Sequence, residues 1–237
     1  MAKGKLYLIP VPLAEGAEKS SYTLMHSSII NSIDEYIVEN EKTARKFLKA
    51  AGLSVPQNQL IIHDYGKHVR EKIDFNAIFA RVLQGKDIGL MSEAGCPGVA
   101  DPGADVVLEA HRRHIQVVPL VGPSSILLAL MASGFNGQKF MFHGYLPIDK
   151  KERTRKIKEL EMQSERERMT QIFIETPFRN NQLLAELLRV CKPGSMLCVA
   201  ANLTAEHESI VTRSMAQWKQ AKDTDLHKIP AIFLLFA

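Results

Sequence analysis

The residues best placed for chemistry lie in two short stretches: Ser92-Glu93-Ala94-Gly95-Cys96-Pro97-Gly98-Val99-Ala100-Asp101-Pro102-Gly103, and Val121-Gly122-Pro123-Ser124-Ser125. The first holds three glycines and two prolines in twelve residues, a composition that fixes a turn and lets main chain approach a ligand closely. It also carries two carboxylates, Glu93 and Asp101. The second offers two hydroxyls at the start of an apolar run. Ser124 and Ser125 could cap a helix, or could hold an anion or a ribose there. Neither stretch has the glycine spacing of a dinucleotide fingerprint or a Walker loop, and no Ser-His-Asp arrangement is readable, so proteolysis and nucleotide hydrolysis fall away.

Other polar groupings are weaker. Glu206-His207-Glu208 spaces candidate ligands two apart, which is poor evidence for a metal, and a polar loop explains it better. His111-Arg112-Arg113-His114 fits a solvated helix end. The basic run Lys150-Lys151-Glu152-Arg153-Thr154-Arg155-Lys156-Ile157-Lys158 could meet phosphates. It is followed by Glu159, Glu161, Glu165 and Glu167, and Arg155 with Glu159 is an i,i+4 pair, so a solvated charged helix is an equal reading. The single tryptophan, Trp218, suits packing better than base stacking. Cys96, Cys191 and Cys198 are odd in number and lack a C-x-x-C pair, which fits neither a disulfide framework nor a zinc site and suits a reduced, cytoplasmic setting.

These residues need elements to position them. The first half alternates strand and helix: strands at 6–9, 35–38, 59–63, 88–91 and 115–118, helices at 23–33, 42–51, 75–83 and 104–114, with 13–21 as a polar loop. This rhythm predicts parallel strands joined by crossovers, and puts both glycine-rich stretches at strand carboxyl ends, where open α/β sheets take ligands. After Gly122 the rhythm changes. Helices are expected at 126–133, 149–168 and 182–190, and strands at 140–142, 171–175, 195–200, 208–212 and 231–236. Several of these strands lack crossover helices, so the second sheet should be mixed. The fold class is thus α/β in two domains, an N-terminal one over 1–119 and a C-terminal one over 120–237. The 237 residues carry a formal net charge of +4, with 46% hydrophobic and 24% charged residues, an ordinary globular balance. No run nears the ~18 apolar residues of a membrane span, and no signal-peptide pattern is seen.

In order along the chain, Leu6-Tyr7-Leu8-Ile9-Pro10-Val11-Pro12-Leu13, Ser92 to Gly103, Val118-Pro119-Leu120-Val121-Gly122-Pro123-Ser124, Gly144-Tyr145-Leu146-Pro147, Glu175-Thr176-Pro177-Phe178-Arg179 and Asn202-Leu203-Thr204 resemble the tetrapyrrole (corrin/porphyrin) methylase superfamily. They are most similar to its ribosomal-RNA branch, which methylates a ribose 2′-oxygen of a cytidine in small-subunit ribosomal RNA. The resemblance implies S-adenosylmethionine as cofactor, held in a cleft between two α/β domains, usually in a homodimer. It implies cofactor contacts at Leu13; at Cys96, Val99 and Ala100; at Ser124, Ser125 and Ile126; at Glu175 and Thr176; and at Leu203, Pro230 and Ala231. No metal is implied. The acceptor hydroxyl needs a base, for which Glu39, Asp101 and Glu93 are candidates. Lys42, Arg179 and the 150–158 run are the expected phosphate contacts.

The chain departs from the branch pattern at several points. Val38-Glu39-Asn40-Glu41-Lys42 stands where Ala-Glu-Asp-Thr-Arg is usual. Glu93 and Cys96 replace Asp and Thr, Asn202 replaces Glu, and Phe178 replaces His. These departures keep other readings open: a methylase of a small tetrapyrrole-like molecule, a regulatory protein that binds the cofactor without turnover, or a phosphosugar enzyme using Gly122 to Ser125.

Overall fold

The computed structural model describes residues 2–66, 73–221 and 224–237, with the side chains of Lys19 and Ser20 left aside. It divides into two compact units, Met1–Ser124 and Ser125–Ala237.

The first unit is a five-stranded sheet of β1 (Lys5–Leu8), β2 (Glu35–Val38), β3 (Ile61–Asp64), β4 (Ile88–Met91) and β5 (Gln116–Pro119) in the order β3-β2-β4-β1-β5. Every pairing is parallel. Its helices are a single turn α1 (Glu18–Ser21), then α2 (Leu24–Ser32), α3 (Glu41–Ala50), α4 (Phe75–Phe79) and α5 (Ala104–Arg112). Alternation along the strands explains the layering. Tyr7, Ile9, Tyr36 and Val38 pack with Ile30 of α2 and Phe47 and Leu48 of α3. Leu6, Ile37, Ile88 and Leu90 pack on the other face with Phe79 of α4 and Val106 and Ala110 of α5. Both faces are therefore covered, which is why these strands read as continuous apolar runs.

The second unit begins with α6 (Ser125–Ser133) and contains β6 (Phe140–Tyr145), α7 (Lys150–Glu167), β7 (Thr170–Ile174), α8 (Asn180–Val190), β8 (Met196–Ala201), β9 (Ser209–Ser214), α9 (Met215–Gln220) and β10 (Ala231–Phe236). The strand order is β6-β7-β10-β8-β9. Only β6 and β7 are parallel; β10 runs against both β7 and β8, and β9 against β8. One face, with Phe173, Val199, Phe233 and Leu235, buries Ile157 and Leu160 of α7, Leu183 and Leu187 of α8 and Trp218 of α9. The opposite face carries Cys198 paired to Thr212, and the Thr212 hydroxyl donates to the Ser133 carbonyl at the end of α6 (2.8 Å).

The expected elements recur with shifts of one to three residues, and the expected mixed sheet is present. Three expectations need correction. Residues 18–21 form a helical turn inside the stretch read as polar loop. The helix expected over 75–83 breaks into α4 and a separate 3₁₀ turn, Val82–Gln84, ended by Gly85 in the left-handed region. Helix α9 was not expected at all, although the Ser214 hydroxyl and the Gln217 side chain form a capping box, an S-x-x-Q signal present in the sequence. Among the described residues no helix is long and apolar enough to cross a membrane.

Candidate functional site

In the first unit, β4, β1 and β5 lie side by side, so the segments leaving their carboxyl ends emerge together. Ile9 N–H donates to Leu90 O (2.9 Å) and Leu120 N–H to Leu8 O (3.0 Å), extending the sheet into the loops. Val11 and Gly95 then exchange two main-chain hydrogen bonds, each 2.8 Å, which tie the turn after β1 to the turn after β4. Gly95 makes this exchange at φ 73°, a conformation that L side chains resist. The turn after β5 is pressed on the first: a Cβ on Gly122 would lie 2.2 Å from the Pro10 Cβ. The Cys96 thiol lies 3.3 Å from the Pro123 carbonyl, joining the second turn to the third. Burial raises that thiol above its ordinary pKa, so it remains protonated and donates.

This convergence gathers Leu13, Cys96, Val99, Ala100 and Ser124 into one end of the sheet. Leu13 is half-buried beside Gly95. Val99 and Ala100 are exposed, and Ala100 is held at φ 60°. The Gly98 N–H donates to Pro102 O (3.2 Å), and the Val99 N–H to Cys96 O (3.1 Å), so the loop is closed on itself by its own main chain.

Three carboxylates border it. Glu39, half-buried just beyond β2, lines a small cleft with Val38, Asn40, Thr43, Ser92 and Glu93. The Thr43 hydroxyl donates to Glu93 (3.4 Å). Asp101 is exposed at the surface, yet desolvation by the surrounding loop, followed by the negative charge of Glu93, raises its pKa above the ordinary carboxylate value; the Ser92 hydroxyl opposes this. Asn40 caps α3, its side chain accepting from the N–H groups of Lys42 (3.0 Å) and Thr43 (3.2 Å). An Asp would cap this helix equally well, so the departure at Asn40 keeps the cap and removes the charge. Glu41 pairs with Arg45 across one helical turn (2.7 Å), and Lys42 stands exposed at the start of α3.

In the second unit the carboxyl ends of β7 and β8 meet the amino end of β10: Ile174 pairs with Ile232, and Ala201 with Ala231. Glu175, Thr176, Leu203, Pro230 and Ala231 therefore share one end of that sheet. Glu175 is buried and accepts from the Thr176 N–H (2.7 Å) and from Arg179 Nε (3.0 Å) and Nη2 (2.6 Å). Arg179, expected at phosphate, is thus turned onto Glu175, with 32% of its side chain exposed. The Asn202 N–H donates to Pro230 O (3.0 Å), with Asn202 and Thr204 both at positive φ. Ser125 and Ile126 open α6, where Ile126 is buried.

Sequence reasoning missed Asn180. It is fully buried at the start of α8, and its side-chain amide donates to Ile229 O (2.6 Å), fixing the residues just before Pro230. An Asn-Asn pair at a helix start gave no sign of so distant a partner. The remaining motifs take structural places. Trp218 is buried and donates to Leu197 O (2.9 Å). Arg153 of the basic run is buried against Glu186 (2.6 Å), and Arg155 pairs with Glu159 (3.5 Å). Arg112 and Arg113 both pair with Glu109. Among the described residues no group of three or more His, Cys, Asp or Glu is arranged to hold a metal ion.

The family model described as Tetrapyrrole (Corrin/Porphyrin) Methylases matches residues 18–218. The chain is similar to proteins named ribosomal RNA small subunit methyltransferase I. That of Vibrio cholerae is 29% identical over 212 residues, covering 90% of this chain and 69% of the relative. That of Bacillus subtilis is 28% identical over 214 residues, covering 90% and 68%. The crystal structure of the methyltransferase CobJ superposes with a TM-score of 0.62 at 17% identity, covering 98% of this chain and 94% of that one, a likeness of fold.

Proposed function

We propose a substrate for this chain from the premise that it belongs to the tetrapyrrole (corrin/porphyrin) methylase family and is an S-adenosylmethionine-dependent methyltransferase: it methylates RNA, at a ribose 2′-oxygen of the small ribosomal subunit. The observation that carries the reading is the similarity, over nine-tenths of the chain, to enzymes named for that ribosomal activity. The formal net charge of +4 is compatible with an RNA partner.

The cofactor reading is supported by the chemistry of the turns. Leu13, Cys96, Val99, Ala100 and Ser124 in the first unit, and Ser125, Ile126, Glu175, Thr176, Leu203, Pro230 and Ala231 in the second, are its proposed contacts. In the first unit the proposed contacts themselves are small or apolar side chains on tight main-chain turns, with the carboxylates Glu93 and Asp101 beside them, a surface suited to a compact nucleoside rather than to a highly charged phosphate chain. In the second, Arg179 neutralises Glu175 and its Nε also donates to the Thr176 hydroxyl (3.2 Å), which keeps its own proton to donate. When bound, S-adenosylmethionine supplies an electrophilic methyl carbon on its sulfonium.

The protein's own task is to position the acceptor and to handle its proton. Asp101 is proposed as the base that takes the ribose hydroxyl proton. A raised pKa makes a carboxylate a stronger base. Glu39 is the second catalytic candidate, and Lys42 and Arg179 are the proposed RNA contacts. A homodimer working in the cytoplasm completes the reading. Leu127 and Met131, exposed one turn apart on α6, support self-association.

The test is calorimetric titration with S-adenosylmethionine, followed by transfer of a radiolabelled methyl group to small ribosomal subunits isolated from cells lacking this protein. Binding and incorporation into ribosomal RNA are expected. Binding without incorporation into any RNA sinks the substrate assignment, and no binding sinks the cofactor assignment.

A further inference from the structure

We propose that Phe178 is a stacking platform for an unpaired nucleobase, and that Lys228 holds the adjoining phosphate. This deepens the RNA reading above and rests on it.

Phe178 lies in the turn between β7 and α8, two residues after Thr176, and 69% of it is exposed. A phenylalanine there gains nothing from burial. Yet its surroundings are ordered. The Lys228 N–H donates to Pro177 O (3.0 Å), tying the segment before β10 to this turn. To make that bond Lys228 adopts φ 61°, a left-handed conformation that costs a non-glycine residue free energy. The outcome is that the Lys228 ammonium stands 6.0 Å from the Phe178 ring centroid. The His227 ring meets the same phenyl edge-on, with centroids 5.9 Å apart at 76°. His227 and Lys228 are themselves exposed.

An exposed aromatic ring with a cation held over it offers what a single strand recognises: a base stacks on the uncovered part of the ring and the backbone follows the positive charge. A purely structural role explains the arrangement poorly, because the aromatic ring covers no core and the lysine has no carboxylate partner among the described residues. The cluster also adjoins Thr176 on one side and Pro230 on the other, residues assigned above to the methyl donor. A nucleotide held on Phe178 would keep its neighbours on the strand near the transfer site.

The test uses the whole chain and a fluorescein-labelled, unstructured RNA of about ten nucleotides, read by anisotropy. Phe178→Ala is expected to weaken binding about 5- to 150-fold, while Phe178→Trp keeps it. On a fully abasic strand of the same length, Phe178→Ala and the unchanged protein should bind alike. Lys228→Ala should lower the slope of log affinity against log salt by about 0.7. With small ribosomal subunits as substrate, Phe178→Ala should raise KM more than it lowers kcat. Undiminished RNA affinity in Phe178→Ala, or an equal loss on the abasic strand, overturns the platform alone. Failure of the unchanged protein to bind RNA overturns the RNA reading and the platform together.

Discussion

The two units each gather candidate site residues at one end of a sheet, but they treat a carboxylate there in opposite ways. In the second unit Glu175 is buried and clamped by Arg179 through two short hydrogen bonds, with a third from the Thr176 N–H. In the first, Asp101 is surrounded by loop main chain and by another carboxylate, Glu93, and its pKa rises. A carboxylate bound to a guanidinium is a fixed acceptor held in place by its partner. One that is partly desolvated, and then faced by a like charge, holds a proton more readily than a free carboxylate. The first arrangement builds a scaffold, whereas the second suits proton transfer.

The largest expected effect breaks that comparison at Asp101. Asp101→Asn should lower kcat by about 10²- to 10⁴-fold, the usual range for loss of a general base, with little change in S-adenosylmethionine affinity. The sign in pH follows from the shift. Transfer needs the ionised form, so activity in the unchanged enzyme should fall as pH drops through a value above the ordinary 3.8 of an aspartate. The variant should lose that limb of the profile. A parallel substitution, Glu39→Ala, should also impair transfer; full activity in either variant removes that residue from the mechanism.

The next effect concerns how the first unit holds its loops without side-chain clamps. Gly122→Ala places a methyl group 2.2 Å from the Pro10 Cβ, inside any allowed contact, so the turn after β5 must move away from the turn after β1. Overpacking of this kind costs about 3 kcal/mol. The first unit's melting temperature should fall, and S-adenosylmethionine should bind more weakly in the same variant. Unchanged melting would mean that these turns are looser than the Val11–Gly95 exchange implies.

The same contrast governs what could be read from the sequence. The strands of the first unit were legible throughout, because strands buried on both faces leave continuous apolar runs and because glycine and proline mark its turns. Its candidate turns were legible for the same reason: main-chain turns announce themselves by composition. Asn40 could be noticed as a departure, and its capping bonds show that the helix start survives it. In the second unit the determinants are side chains that meet from far apart. Arg179 reads as a free cation until Glu175 is placed beneath it. Asn180 finds its partner at Ile229, and Arg153, one of several basic residues in a row, proves to be buried against Glu186. Local pattern carries no information about such partners.

A smaller effect sharpens the scaffold half of the comparison. Glu175→Gln keeps the shape but removes the charge facing Arg179. Because Arg179 keeps about a third of its side chain in water, the loss should be about 2 kcal/mol, below the ~3–5 kcal/mol of a fully enclosed pair. Glu186→Ala supplies that enclosed case, since Arg153 is only 4% exposed, and chemical denaturation should separate the two values. Burial alone would raise the Glu186 pKa, but hydrogen bonds from Thr154 and Arg153 with the charges of Arg153 and Arg189 outweigh it and hold the pKa below 4.5. Its contribution is therefore present above the unfolded value and is lost as pH falls through the lower, folded one.

The smallest effect separates function from stability by sign. Lys42 stands exposed in the first turn of α3, where the helix N-terminus disfavours a positive charge. If it served the fold alone, its removal would leave RNA unaffected. Lys42→Ala should instead raise stability slightly, by a few tenths of a kcal/mol, through relief of that dipole and a better helix former. It should at the same time weaken RNA binding a few-fold and lower the salt slope by about 0.7, the loss of one phosphate contact on a single strand. A variant that is more stable and binds more weakly places the lysine at the substrate. One that is more stable and binds equally well returns it to the solvent-facing surface of α3.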